Sequence, residues 1–112
     1  PAAATGDAYE RMTEALRFKV TQSERQEIAG RINRHAGALR TRLTLSHLMR
    51  VWVNILRDAD PYILKALEGA ALKRPGNEDA LAVAEFEEQL TELYLAAVER
   101  MAKRRKAEAQ GA

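Results

Sequence analysis

Residues 15–21 read Ala-Leu-Arg-Phe-Lys-Val-Thr, and the fold class predicted from the sequence depends on this short segment. Apolar side chains alternate there with polar ones, namely Leu16, Phe18 and Val20 with Arg17, Lys19 and Thr21. A period of two residues is typical of a strand with one buried face. No other part of the chain has this pattern, and a strand needs a backbone partner. The sequence therefore predicts pairing with the same strand of a second copy.

Two helices are predicted after this segment. Residues 23–26, Ser-Glu-Arg-Gln, have the pattern of a capping box that starts the first helix. Gly37 is expected to end it. Thr44 or Ser46 can cap the second helix, which is predicted to run to about Arg57. This second helix is apolar on most sides, so we expect it to be buried.

The C-terminal half is predicted to form two more helices. Asp60 and Pro61 are suited to the N-cap and first position of a helix over residues 61–73. Arg-Pro-Gly-Asn at residues 74–77 predicts a break, followed by a long helix over residues 78–106.

An apolar stripe with nearly heptad spacing runs along the long final helix and needs a cover. The cover is either the helix over residues 61–73 or a partner outside the chain, such as another protein or a second copy. Candidate partner-docking residues are Val83, Phe86, Leu90 and Leu93.

Charge is distributed unevenly along the 112 residues, although the net charge is only +2. Residues 8–57 carry ten Lys or Arg against four Asp or Glu, a balance of +6. Residues 75–99 carry seven acids and no Lys or Arg, and residues 100–112 carry five bases against one acid. Such a distribution favours a basic half that binds nucleic acid and an acidic part with a partner of its own. The alternative is a set of solvated charged faces.

Signals for catalysis are weak, so the sequence predicts no enzyme, no cofactor and no metal site. Cysteine is absent, which excludes disulfides, thiolate zinc sites and cysteine nucleophiles. His35 and His47 lie on different predicted helices without a carboxylate at metal-ligand spacing. The chain has neither a glycine-rich phosphate loop nor a nucleophile elbow. Without an apolar run of about 20 residues or a signal-like N-terminus, we expect a cytoplasmic protein with no membrane partner.

The order of a short strand, a capped helix and a second helix resembles the ribbon-helix-helix family of DNA-binding proteins. The resemblance covers the alternating residues 16–21, the helix start at 23–26 and Leu-Thr-Leu-Ser-His-Leu-Met at 43–49. It implies a mainly α fold, in which one short N-terminal strand pairs between two chains and a helical hairpin extends the dimer. The resemblance extends loosely to a subset of that family, the plasmid partition and relaxosome accessory proteins, which attach a helical C-terminal part to the ribbon-helix-helix.

This resemblance implies three parts and a set of contact residues. The parts are a flexible arm at 1–14, a ribbon-helix-helix DNA-binding and dimerisation domain at 15–57, and a helical assembly or partner-docking region at 58–112. Bases in the major groove are expected to be contacted by Arg17, Lys19 and Thr21. Phosphates are expected to be contacted by Arg40, Arg42, Thr44 and Ser46. The dimer core is expected to contain Leu16, Phe18, Val20, Leu48, Trp52 and Ile55.

The predicted function is sequence-specific binding of double-stranded DNA by a homodimer that inserts a two-stranded ribbon in the major groove. The resemblance implies a role in plasmid partition, conjugative transfer or transcriptional repression, and it leaves a higher oligomer and a protein partner at the C-terminal helix open. The alternative is an all-helical protein–protein interaction adaptor that does not bind DNA. In that case residues 15–21 would be helical.

Overall fold

A computed structural model describes residues 10–111, which contain three helices. These are α1, Gln22–Leu39, α2, Leu45–Glu68, and α3, Ala80–Gly111. Residues 10–21 have no regular secondary structure, and residues 40–44 and 69–79 connect the helices. None of the three helices is both long and apolar enough to span a bilayer.

The predicted N-terminal strand, and with it the ribbon-helix-helix fold class, is wrong. Residues 10–111 contain no strand and no sheet, and their regular structure is entirely helical. The alternation of residues 15–20 is a side-chain pattern, and it does not supply the partner backbone that a strand requires. Leu16 is 95% exposed, so the supposed inner face of this segment is not buried. Residues 15–21 are not helical either, contrary to the expectation for an adaptor.

α1 begins and ends at residues that differ from the predicted ones. The Thr21 hydroxyl accepts the Glu24 N–H at 3.1 Å, and the Glu24 carboxylate accepts the Thr21 N–H at 2.9 Å. This capping box lies two residues before the predicted one. Glycine in a helix interior costs only about 1 kcal/mol relative to alanine, and α1 continues through Gly37. It ends at Arg40, which adopts the left-handed conformation with φ 57°.

α2 passes through Pro61, so the predicted break at residues 58–61 is wrong. Proline has no N–H to donate to the Arg57 carbonyl and costs about 3 kcal/mol in a helix interior. Ala59 and Ile63, on either side of Pro61, are both buried in the core. Their burial offsets the cost of the proline, and α2 therefore crosses the domain boundary predicted between residues 57 and 58.

The predicted break before the final helix is confirmed, because residues 69–79 form no helix. The Asp79 carboxylate accepts the Ala82 N–H at 3.0 Å. This bond satisfies one of the amides that a helix N-terminus leaves without an intrahelical partner. α3 therefore begins at Ala80, two residues after the predicted start of the final helix at residue 78.

The core lies between α2 and α3. Four of the residues in 10–111 are buried, namely Ala59, Ile63, Ala97 and Met101. Half-buried side chains surround them: Ile55, Leu56, Tyr62, Leu67, Tyr94 and Val98. The Arg105 guanidinium also reaches the Asp58 carboxylate at 3.3 Å. α1 contributes no buried residue and only touches α2. The final helix is therefore part of the core of this chain.

The single chain exposes far more surface than a compact monomer does. Its accessible surface is 10207 Å². A folded monomer of 12.5 kDa exposes about 6,200 Å². The radius of gyration is 17.8 Å, against about 13 Å for a compact domain of this length.

Candidate nucleic-acid interface

The basic side chains of the N-terminal half face solvent with little neutralisation. All ten Lys and Arg residues between positions 10 and 57 are exposed. Arg31 pairs with Glu27 at 3.1 Å, and within residues 10–111 none of the other nine forms an ion pair. Arg57 donates to the neutral Asn54 amide oxygen at 3.2 Å. The surplus of positive charge in this half is therefore available to an anionic partner.

A groove at the start of α2 brings several of these groups together. Residues 14–18 lie beside the first turns of the helix and enclose a volume of about 560 Å³ with it. Its polar lining consists of Glu14, Arg17, Ser46 and Arg50, so two cations and one carboxylate share it, and its apolar lining includes Phe18. A predicted base contact, a predicted phosphate contact and a further arginine thus share one groove, which we call the α2 groove. Arg50 was not among the predicted contact residues, although it is one of the few polar positions on an apolar helix.

The cap of α2 leaves two backbone N–H groups of the first turn without a hydrogen-bond acceptor. Of the two predicted caps, Thr44 and Ser46, Thr44 is the N-cap. Its hydroxyl accepts the His47 N–H at 3.4 Å. The His47 ring nitrogen Nδ1 in turn accepts the Thr44 N–H at 3.1 Å. The amides of Leu45 and Ser46 have no acceptor within the described residues. A helix N-terminus with such amides attracts phosphate.

The remaining predicted DNA-contact residues lie outside the α2 groove. Lys19, Arg40 and Arg42 are exposed, and Arg40 is also the residue that ends α1. The Thr21 hydroxyl already accepts a hydrogen bond as the cap of α1, so Thr21 has a structural role. None of these four residues lines the groove with Arg17.

The residues predicted to form a dimer core fall into two groups. Those exposed in the single chain are Leu16, Phe18, Val20 and Trp52. Ile55 packs against the core between α2 and α3, and Leu48 lines a groove between α1 and α2. The second group is therefore covered, at least in part, by the chain's own helices.

The predicted partner-docking residues are all half-buried, namely Val83, Phe86, Leu90 and Leu93. Leu90 lines an apolar groove with Trp52, and Leu93 lines another with residues 70–72.

Both histidines line the groove between α1 and α2, which has a volume of about 250 Å³. The sequence had placed His35 and His47 on separate helices without showing this proximity. In the part of the chain that the structure describes, no three His, Cys, Asp or Glu residues lie close enough together to hold a metal ion. The His47 ring is also engaged at the cap of α2.

A second group of cations lies near the end of α3. Arg104 Nε donates to the Glu108 carboxylate at 2.9 Å, and this bond raises the pKa of Arg104 above its ordinary value. Arg105 pairs with Asp58, whereas Lys103 and Lys106 form no ion pair within residues 10–111.

No protein-family model matches the chain, and searches of curated proteins and of solved structures also yield no match.

Proposed function

We propose that this protein binds double-stranded DNA with the basic residues of its N-terminal half. The observation that supports the proposal is the α2 groove, where Arg17, Ser46 and Arg50 meet at a helix N-terminus. Nine basic side chains of the N-terminal half, Arg17 and Arg50 among them, form no ion pair within residues 10–111. Duplex DNA is a dense polyanion, and such unneutralised cations supply most of its non-specific binding.

The proposed contacts divide between phosphates and bases. Arg42 and Arg50 flank the first turn of α2, where the open amides of Leu45 and Ser46 favour a phosphate oxygen. Arg17 and Lys19 lie on a segment without regular structure, and arginine or lysine donates well to guanine O6 and N7 in the major groove. Contacts of this kind with phosphates and bases do not require a strand that pairs between two chains. It fits the cytoplasmic localisation expected from the sequence.

We further infer that the protein binds DNA as a homodimer. Large apolar side chains outside the α2 groove remain exposed in the single chain, among them Leu39 and Val51, which line the groove between α1 and α2. Exposed apolar surface of this kind marks an interaction site. The settings implied by the resemblance, which are partition, conjugative transfer and repression, stay predictions.

The same exposed apolar side chains favour a second candidate function, a helical protein–protein interaction adaptor. In that case Met49, Val51 and Val53 of α2 would be covered by a different protein, and the basic residues would only keep the surface solvated.

Fluorescence anisotropy with a labelled duplex over a series of salt concentrations separates the two functions. Binding should weaken steeply as salt rises, because each neutralised phosphate releases counterions. Arg42→Ala and Arg50→Ala should each weaken binding to all sequences and reduce the salt slope by about 1. Arg31→Ala is the matched control, since Arg31 is already paired with Glu27. Absence of wild-type binding at low salt would remove the DNA proposal and leave the adaptor.

Arg17→Ala, measured in the same assay, tests base contact. A bidentate base contact discriminates between sequences by about 1–3 kcal/mol. Once a preferred site has been selected from random duplexes, Arg17→Ala should therefore lose far more affinity for that site than for random DNA. Equal losses on both would show that Arg17 contacts phosphate only.

A further inference from the structure

Among the described residues, Glu14 is the one acid that lines the α2 groove. Its carboxylate shares the groove with the guanidinium groups of Arg17 and Arg50. Glu14 is exposed, belongs to the segment without regular structure before α1, and forms no ion pair within residues 10–111. A negative charge therefore lies among the cations that are proposed to contact DNA.

The other acids of the N-terminal half are placed differently. Residues 10–57 contain four acids. Glu24 accepts the Thr21 N–H in the cap of α1, and Glu27 pairs with Arg31. Glu10 lies on the same segment as Glu14 but does not line the groove. Of the four, Glu14 alone combines a place in the α2 groove with the absence of an ion pair or a capping role.

A carboxylate in this position opposes binding to the DNA backbone. Phosphates are the same on every sequence, and contacts with them supply most of the non-specific affinity. The Glu14 carboxylate repels a phosphate that approaches Arg17 or Arg50, because like charges brought together at an interface are unfavourable. Glu14 therefore lowers the affinity for all duplexes alike.

The same carboxylate has a favourable partner among the bases. In the major groove a glutamate accepts a hydrogen bond from the cytosine N4 amino group, whereas arginine donates to guanine O6 and N7. Three residues of extended chain reach at most about 10 Å, and successive base pairs are about 3.4 Å apart. Glu14 therefore reaches a cytosine within about three base pairs of a guanine that Arg17 contacts.

We propose that Glu14 is a specificity-determining residue of the DNA surface, which repels phosphate on every sequence and accepts a hydrogen bond from cytosine N4 on the preferred one. This role rests on the DNA binding proposed above. Specificity is a difference between two affinities, and weakening the wrong complex increases it as much as strengthening the right one. Glu14 and Arg17 together then select a short site that contains both cytosine and guanine.

Fluorescence anisotropy at about 0.15 M salt, where charges more than about 8 Å apart are screened, tests the repulsion. Glu14→Ala should bind a random duplex about threefold more tightly than the wild type does. Glu10→Ala is the matched control, because it removes a carboxylate from the same segment but outside the groove, and it should leave this affinity unchanged. Equal affinities for the two variants overturn the proposal.

The base contact is tested on the site that the wild type selects from random duplexes. Each cytosine of that site is replaced in turn by thymine, which offers an acceptor in place of the amino group. One replacement should weaken wild-type binding about tenfold and leave Glu14→Ala unaffected. If every replacement weakens both proteins equally, the proposal is overturned. A wild type that binds no duplex at low salt would instead refute the DNA binding itself, so the two failures are distinguishable.

Discussion

Two threonines determine where α1 and α2 begin. The hydroxyls of Thr21 and Thr44 each accept the backbone N–H of the residue three positions later. The side chain of that residue in turn accepts the backbone N–H of the threonine. At Thr44 the returning group is a histidine ring rather than the usual glutamate or glutamine. This arrangement leaves the first turn of α2 without an acidic residue. The positive end of the helix is therefore not neutralised locally, which favours an anionic ligand there.

Removing the cap should destabilise α2 measurably. Thr44→Ala deletes the hydroxyl that accepts the His47 N–H and is expected to cost about 1 kcal/mol in the free energy of unfolding. Ser46→Ala is the control, since the Ser46 hydroxyl makes no hydrogen bond within residues 10–111 and its loss should change little. Urea denaturation followed by circular dichroism measures both. Equal losses would mean that Ser46 shares the capping role.

α2 has two halves with different surroundings. Its C-terminal half, which includes Ala59 and Ile63, is held by α3. Its N-terminal half leaves Val51 and Val53 exposed. Pro61 lies in the held half, where packing keeps the helix continuous despite the missing hydrogen bond. α2 therefore combines a C-terminal segment held in the core with an N-terminal segment whose apolar side chains are exposed.

Pro61→Ala tests this continuity. An alanine restores the hydrogen bond to the Arg57 carbonyl and removes the ring clash, so the free energy of unfolding should rise by about 1–3 kcal/mol. Lys65→Ala, an exposed change one turn later, is the control and should have little effect. Thermal and urea unfolding measure both variants. A loss of stability in Pro61→Ala would indicate a helix start at Asp60 and Pro61, because proline is favoured only at a first position.

At the scale of the whole molecule, few side chains of the described residues are buried, whereas the exposed surface is large. Two of the four buried residues are alanines, which contribute little hydrophobic free energy. Ordering each residue of the backbone opposes folding by about 1–2 kcal/mol. A core this small is insufficient for a stable monomer, so self-association is expected to supply much of the stability.

The unfolding midpoint should therefore depend on protein concentration. Mass action raises the melting temperature of an assembly as the protomer concentration rises, whereas a monomer's melting temperature stays constant. Thermal scans over a hundredfold range of concentration should show the rise for the wild type. A constant melting temperature for the wild type would mean that the monomer is stable alone.

Local chemistry made several features predictable from the sequence. The existence of a helix over most of residues 22–39 follows from its polar cap and apolar spacing, and the cap at Thr44 was one of two alternatives. The break around Pro75 and Gly76 follows from residues that disfavour helix. The surplus of basic residues before position 57 is a property of composition alone. Each of these depends on neighbours within a few positions along the chain.

By itself, then, the sequence determined where most helices lie and how charge is distributed, while contacts distant in the chain determined the rest. Alternation in residues 15–20 specified which side chains share a face, but no partner backbone pairs with them in the described chain. Pro61 suggested a helix start, but burial of its neighbours against α3 keeps α2 continuous. The meeting of Arg17 with Arg50, 33 positions apart, also depends on how the segment before α1 lies across α2. Such contacts depend on packing between elements, which a local pattern does not encode.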